Sequence, residues 1–264
     1  MSSQILSSDS QLTRSSRENI GPDDARYADL NRKGFNKRFE GKPDYFRLVG
    51  STADVIEAVQ HAVDNNVRVV VRSGGHCLEG FVSNADVRVV IDTSLMTSVT
   101  WDANMGAFAI EAGTTLGEMH RKLFIGWNVV LPVGQSPDIS IGGHALGSSF
   151  GFLHRMYGLT VDFLYAIELV YVDKDGIARS VIATRDANDP HLELWWAHTG
   201  CGGGNFGIVT RYWFRANDAG GSDATRALPR APESVVTRKA EWNWDEGDIY
   251  HAHSKLWCVV RTKR

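Results

Sequence analysis

The chain has 264 residues, 43% of them hydrophobic and 22% charged, with a formal net charge of −3. That length suits one large domain or two modest ones, and the composition supports a packed core, which excludes a disordered tether. The slightly acidic balance argues against a broad phosphate-binding surface, so nucleic acid is not an expected partner.

Residues 1–23 are polar and lack the apolar run of a secretory leader, so they read as an N-terminal arm. No apolar stretch is long enough to cross a bilayer, and no membrane partner is expected. Cys77, Cys201 and Cys258 are odd in number and widely spaced. They form neither a disulfide framework nor a zinc pattern, which points to a reducing cytoplasm and no metal.

The first expected helix opens at Ser51, with Asp54 three residues later as a capping-box variant. Val55, Ile56, Val59, Ala62 and Val63 give it an apolar stripe, and Asp64-Asn65-Asn66 stops it. "VRVVV" (67–71) and "VRVVID" (87–92) read as strands on either side of the glycine turn "RSGGH". "SVTWD" and "AFAIEAG" flank Asn104-Met105-Gly106 as a hairpin. Thr115 opens a helix carrying Leu116, Met119, Leu123 and Phe124.

Residues 134–158 are rich in glycine yet interrupted by large apolar side chains. "FLYAIELVYV" (163–172) turns at Asp175-Gly176 into "IARSVIAT", a second hairpin. A short helix from Pro190 then leads through "GCGGGNFG" to the strand "IVTRYWFR". The composition shifts over 216–232, and "SVVTRKAEWNW" beyond it is strand-like. Without a regular βαβ rhythm, the fold class is α+β.

Gly202-x-Gly204-x-x-Gly207 matches the dinucleotide fingerprint in letters only. A helix precedes it and a strand follows, the reverse of what puts a pyrophosphate on a helix N-terminus, so a Rossmann site is rejected. "RSGGH" has the better context. A strand delivers Arg72, and Ser73-Gly74-Gly75 can turn successive amides toward one point as an anion nest. Alone, that pentapeptide reads more readily as a tight turn with a surface histidine. His251, His253 and Cys258 lack a recognised metal spacing.

The ordered blocks "KPDYFRLVGSTADVIEAVQHAVDNNVRVVVRSGGHCLEGF", "VVIDTSLM", "VGQSPDISIGGHALGSSFGFLHRMYGLTVDFLYAIELV" and "LWWAHTGCGGGNFGIVT" decide between those readings. Together they resemble the FAD-linked oxidases of the vanillyl-alcohol-oxidase fold, in the berberine-bridge-enzyme-like branch. Within it, the chain is most similar to hexose oxidases of glycopeptide-antibiotic biosynthesis. The resemblance implies a PCMH-type FAD-binding domain of two α+β subdomains over 24–216. A linker and the partial start of a substrate domain, over 217–264, would follow. It also implies oxidation of a sugar or glycoside alcohol, with dioxygen reduced to hydrogen peroxide.

Position by position, the resemblance implies that Arg72, Ser73, Gly74 and Gly75 hold the FAD pyrophosphate. His76 would bond the flavin 8α-methyl carbon, with Cys77 and Gly80 close by. Gly134, Gly142, Gly143 and Gly147 would pass beside the cofactor. His144 would polarise the reacting end, and Gly158, Val161 and Ile208 would lie toward the adenosine.

Three departures from the family pattern matter. Doubly linked members have a cysteine where this chain has Ser136, and a serine lacks the accessible thiolate, so one covalent link is expected. Gly147-Ser148-Ser149 stands where three glycines are common, which favours a degenerate flavin-binding protein with little turnover as the alternative. Members are also about twice this length, so the family's catalytic tyrosine is expected beyond Arg264.

Overall fold

The computed structural model describes residues 18–147, 149–200, 203–219 and 221–236. A first sheet joins β1 (Asn19–Ile20), β2 (Tyr45–Leu48), β3 (Val69–Arg72) and β4 (Val89–Asp92) in the order β1-β2-β4-β3. Strands β2 and β3 both run parallel to β4, whose four residues are buried. The helix α2 (Thr52–Asp64) carries the chain from β2 to β3, which flank β4 on its two sides. A short helix α1 (Tyr27–Arg32) precedes β2. None of β1, α1 and β2 was expected from the sequence.

Helix α2 begins as the sequence predicts. Ser51 Oγ accepts the Asp54 amide at 3.2 Å, but the Asp54 carboxylate reaches Gly50 rather than closing back on Ser51. Asn66, in the left-handed region, ends the helix, and its neighbour Val67 donates to the Ala62 carbonyl. The buried stripe is Val55, Ala58, Val59 and Ala62. Val63, expected in that stripe, lies on the helix flank and is exposed. In the packed interior, α2 shares one cluster with Val89 and Ile91 of the first sheet and with Val170, Ala178 and Ile208.

Those last three residues belong to an antiparallel sheet. It comprises β5 (Val99–Asp102), β6 (Ala107–Glu111), β7 (Leu164–Val172), β8 (Ala178–Thr184) and β9 (Ile208–Phe214), ordered β5-β6-β9-β7-β8. Both expected hairpins are present as β5–β6 and β7–β8. Between β6 and β7 lies α3 (Leu116–Trp127), capped by Thr115 Oγ1 on the Glu118 amide. It buries Leu116, Met119 and Leu123 against Phe108, Ile110, Tyr212 and Phe214. Phe124, predicted on that face, is 55% exposed, at the edge of the face that meets the sheet.

The glycine-rich passage folds into α4 (Ile141–Leu146) and α5 (His154–Tyr157), and α6 (Leu192–Ala197) precedes β9. Ala227 and Leu228, past the composition change at Ala216, are buried in the same core as α3. The compact unit runs to Ala231. The strand expected from Ser234 onward lies, after Val236, outside the described residues. Among those residues no helix is long and apolar enough to cross a membrane.

The carboxyl ends of β3 and β4 are pinned by charge. Arg72 Nε and Nη2 meet Asp92 Oδ2 at 2.8 and 2.7 Å, and Lys33 Nζ approaches the same carboxylate at 3.3 Å. The Arg72 guanidinium also donates to the Leu30 carbonyl at 2.7 Å and lies 4.9 Å over the Phe46 ring. Burial alone would raise the Asp92 carboxyl, yet Arg72 and Lys33 hold it below the ordinary carboxylate value. Asp92→Asn should therefore cost about 3–5 kcal/mol in urea denaturation, since it strands two cations. A lowered folded pKa stabilises above the unfolded value and loses that contribution as pH falls through the folded one. The gap between wild type and variant should accordingly close in acid.

Candidate cofactor site

Where β3 ends, the chain turns through Ser73, Gly74, Gly75 and His76 toward the start of α4. A cavity of about 390 Å³ opens there, lined by this loop and Cys77, by Gly142, Gly143, His144 and Leu146, and by Gly204, Gly207 and Tyr212. The two backbones meet closely because side chains are missing. A Cβ on Gly74 would lie 2.7 Å from the Ser140 nitrogen. One on Gly142 would lie 2.5 Å from Ser73 Oγ and 2.8 Å from the Ala112 carbonyl. Ser73 Oγ is itself fixed by Thr93 Oγ1 at 2.8 Å.

The start of α4 is held from the sheet. Ile141 and Gly142 donate their amides to Thr114 and Ala112, both at 2.9 Å. The Tyr212 hydroxyl, on β9, donates to the Gly142 carbonyl at 2.6 Å. Tyr212 is fully buried and burial pushes its phenol up, so it remains a donor.

Other glycines serve the cavity instead. A Cβ on Gly143 or Gly204 would meet nothing within 4 Å, although both residues line the cavity. Gly75 sits at φ +76°, the left-handed conformation that bends the loop. Among the described residues, no hydrogen bond takes up the amides of Gly74, Gly75 or His76. Unpaired amides at a turn have the geometry of an anion nest, and beside them the cavity is lined by glycines together with Val71, Ile139, Leu146 and Val209.

His144 is held by its environment. The Gly134 amide donates to its Nε2 at 2.8 Å, and burial lowers its pKa. A neutral imidazole that accepts at Nε2 carries its proton on Nδ1, so what it has left to offer is a hydrogen-bond donor and not a free base. His76 lines the cavity with its ring stacked on Phe35, centroids 5.1 Å apart and planes 17° apart. The Cys77 thiol contacts the Glu79 carbonyl at 3.2 Å. Arg72 lines the cavity, but its guanidinium serves Asp92 and Leu30 and its carbonyl accepts the Thr93 amide at 2.9 Å, so it acts as a support for the loop.

The remaining predicted residues do not line this cavity. Gly80 packs against the Phe39 ring, and Gly134 supports His144. Ser136 accepts the Ile139 amide through its carbonyl, and Gly147 ends α4. Gly158 adjoins the carboxylate of Asp162, and Val161 sits in the one-turn helix Thr160–Phe163. Ile208 opens β9 and packs on α2. Ser149 is buried with its hydroxyl 2.6 Å from Thr160 Oγ1, so this substitution adds no side chain to the cavity. Ser148, Gly202, His251, His253 and Cys258 lie outside the described residues.

Sequence reasoning missed Tyr212, Ser140 and Phe35. It noted Gly204 and Gly207 only to reject a Rossmann fingerprint. The glycines do lead into β9 and not into a helix, yet they still line the cavity.

An α+β scaffold with a glycine-floored cavity and an open row of amides defines a domain for a phosphate-bearing cofactor. The family model described as FAD binding domain matches residues 43–180, and the chain belongs to that family. It is 51% identical over 221 residues to the aclacinomycin-N/aclacinomycin-A oxidase of Streptomyces galilaeus, covering 84% of this chain and 41% of that protein. It is 32% identical to the hexose oxidase of Chondrus crispus, covering 81% of this chain and 38% of that protein. A glycopeptide hexose oxidase solved in complex with teicoplanin superposes with a TM-score of 0.80 at 52% identity, covering 81% of this chain and 43% of that one. The chain thus spans about two fifths of the length of the relatives it matches. The resemblance to FAD-linked oxidases and the PCMH-type fold are both borne out.

The residues present fit FAD: open amides for phosphate oxygens, and glycines that leave room beside them. Gly143→Val should leave denaturation unchanged but weaken FAD binding about tenfold or more, read by flavin fluorescence as apoprotein is titrated. Gly142→Ala should instead lower stability by about 1–3 kcal/mol, because it forces two backbones apart. Unaltered FAD affinity in Gly143→Val would place the cofactor elsewhere.

Proposed function

We propose that this chain is the FAD-binding part of an oxidase acting on a sugar-type alcohol, with the flavin tethered once, through His76. When bound, FAD supplies the two-electron acceptor for the alcohol carbon and passes those electrons to dioxygen, giving hydrogen peroxide. The observation that carries the reading is the row of open amides from Gly74 to His76, ending in an imidazole on the same cavity.

In this reading the amides of Gly74, Gly75 and His76 take the pyrophosphate oxygens, with Gly143 and Gly204 leaving space beside them. The tether fixes the cofactor by one bond, because Ser136 offers no thiolate for a second. His144 donates its Nδ1 proton toward developing negative charge and, staying neutral, brings no competing cation. No described residue is assigned as the base that takes the hydroxyl proton. Gly158, Val161 and Ile208 belong to the surround of the adenosine end.

A hexose carried on a glycoside, as on a glycosylated antibiotic, is the substrate class. The hexose-oxidase and aclacinomycin-oxidase relatives support it. The widely spaced cysteines support a reducing cytoplasm as the compartment.

Protein loaded with FAD and precipitated in acid should keep flavin fluorescence in the pellet, and His76→Ala should release it to the supernatant. Free hexoses and glycosides offered to the loaded protein should yield peroxide. A colourless wild-type pellet would refute the tether, and peroxide formed from non-sugar alcohols but from no sugar would refute the substrate class.

A further inference from the structure

We infer that Phe35 is a positioning residue for covalent flavin attachment, holding the His76 imidazole in the orientation from which it bonds the cofactor. The inference rests on the tether proposed above. It starts from an oddity of burial: Phe35 is 61% exposed, yet its ring lies nearly parallel to that of His76, 17° apart, with centroids at 5.1 Å. An exposed phenylalanine contributes little to a core. Stacked against an imidazole, it restricts the side-chain rotation of that one histidine.

The backbone around Phe35 is fastened to the cavity loop. The Phe35 amide donates to the Gly75 carbonyl at 2.8 Å, and Asn36 Nδ2 donates to the Leu78 carbonyl at 2.5 Å. The Lys33 carbonyl lies 3.2 Å from where a Gly75 Cβ would stand, and Lys33 Nζ reaches Asp92. Arg72 holds the Leu30 carbonyl of α1 from below. The segment carrying Phe35 is therefore located by the same residues that locate His76. No comparable contact fixes the neighbouring thiol, since Cys77 meets only the Glu79 carbonyl among the described residues.

Attachment replaces one methyl C–H bond of the flavin and the imidazole N–H by a nitrogen–carbon bond. The two protons and two electrons removed pass to dioxygen, which leaves as hydrogen peroxide. Such a bond needs the nitrogen aligned with the carbon, and misalignment by about an ångström slows a positioned reaction as much as a hundredfold. Phe35 supplies alignment and touches none of the atoms exchanged.

The test measures two quantities on apoprotein given FAD: total flavin bound natively, and flavin retained after acid denaturation over time. Phe35→Ala and Phe35→Leu should bind FAD as wild type does but attach it about tenfold more slowly or worse. Leucine keeps apolar bulk without a planar face, so it guards against a simple packing defect. Phe35→Tyr, which restores the face, should recover the wild-type attachment rate. Wild-type attachment rates in both Phe35→Ala and Phe35→Leu would overturn the inference. So would loss of native flavin binding that Phe35→Tyr fails to rescue. Absence of retained flavin in the wild type would instead overturn the tether itself, a result readable without any variant.

Discussion

The site depends on two backbone segments meeting without side chains between them. Gly74 lies against Ser140 at the mouth of α4, and Gly142 lies against Ser73 and Ala112. Glycine inside a helix costs roughly 1 kcal/mol relative to alanine, so α4 is weak on its own propensity. Its first turn persists because Thr114, Ala112 and the buried Tyr212 hydroxyl take up its polar groups. Loop, helix and β9 are therefore one construction, and the cavity is the gap left over where Gly143 and Gly204 carry nothing.

Charge is kept out of that gap. Arg72, which leads into the loop, is neutralised by Asp92 and braced on Phe46. His144 is held neutral by burial and by the Gly134 amide. Under the proposed reading, anion affinity comes from oriented amides, which are fixed partial charges requiring no counterion and no titration. The same Arg72–Asp92–Lys33 cluster anchors the segment bearing Phe35, so sheet stability and the placement of His76 are mechanically linked.

Much of this was legible in the sequence where pattern and chemistry coincide. Ser51 and Thr115 marked helix starts because a hydroxyl next to an apolar period has one good use. The two hairpins followed from turn residues between β-formers. The turn at Ser73–His76 was visible as a candidate because strand, glycines and histidine occur in that order, followed by the family's other blocks. What stayed hidden has a physical reason. Helix α4 reads as glycine-rich loop, since its stability is tertiary. Tyr212 reads as one apolar strand residue among seven, and only its register on β9 brings it under Gly142. Ser149 looked like an intrusion, but its hydroxyl turns to Thr160. Val63 and Phe124 were assigned to buried faces that the actual packing angle leaves in solvent.

The central claim is that the cavity loop both cradles and covalently holds FAD at one residue. Peptide mapping of FAD-loaded protein tests it most directly. Trypsin should release the segment from Ser73 to Arg88 carrying one FAD less two hydrogens, with fragmentation locating the addition on His76. An unmodified segment, or an addition located on Cys77, would contradict the account.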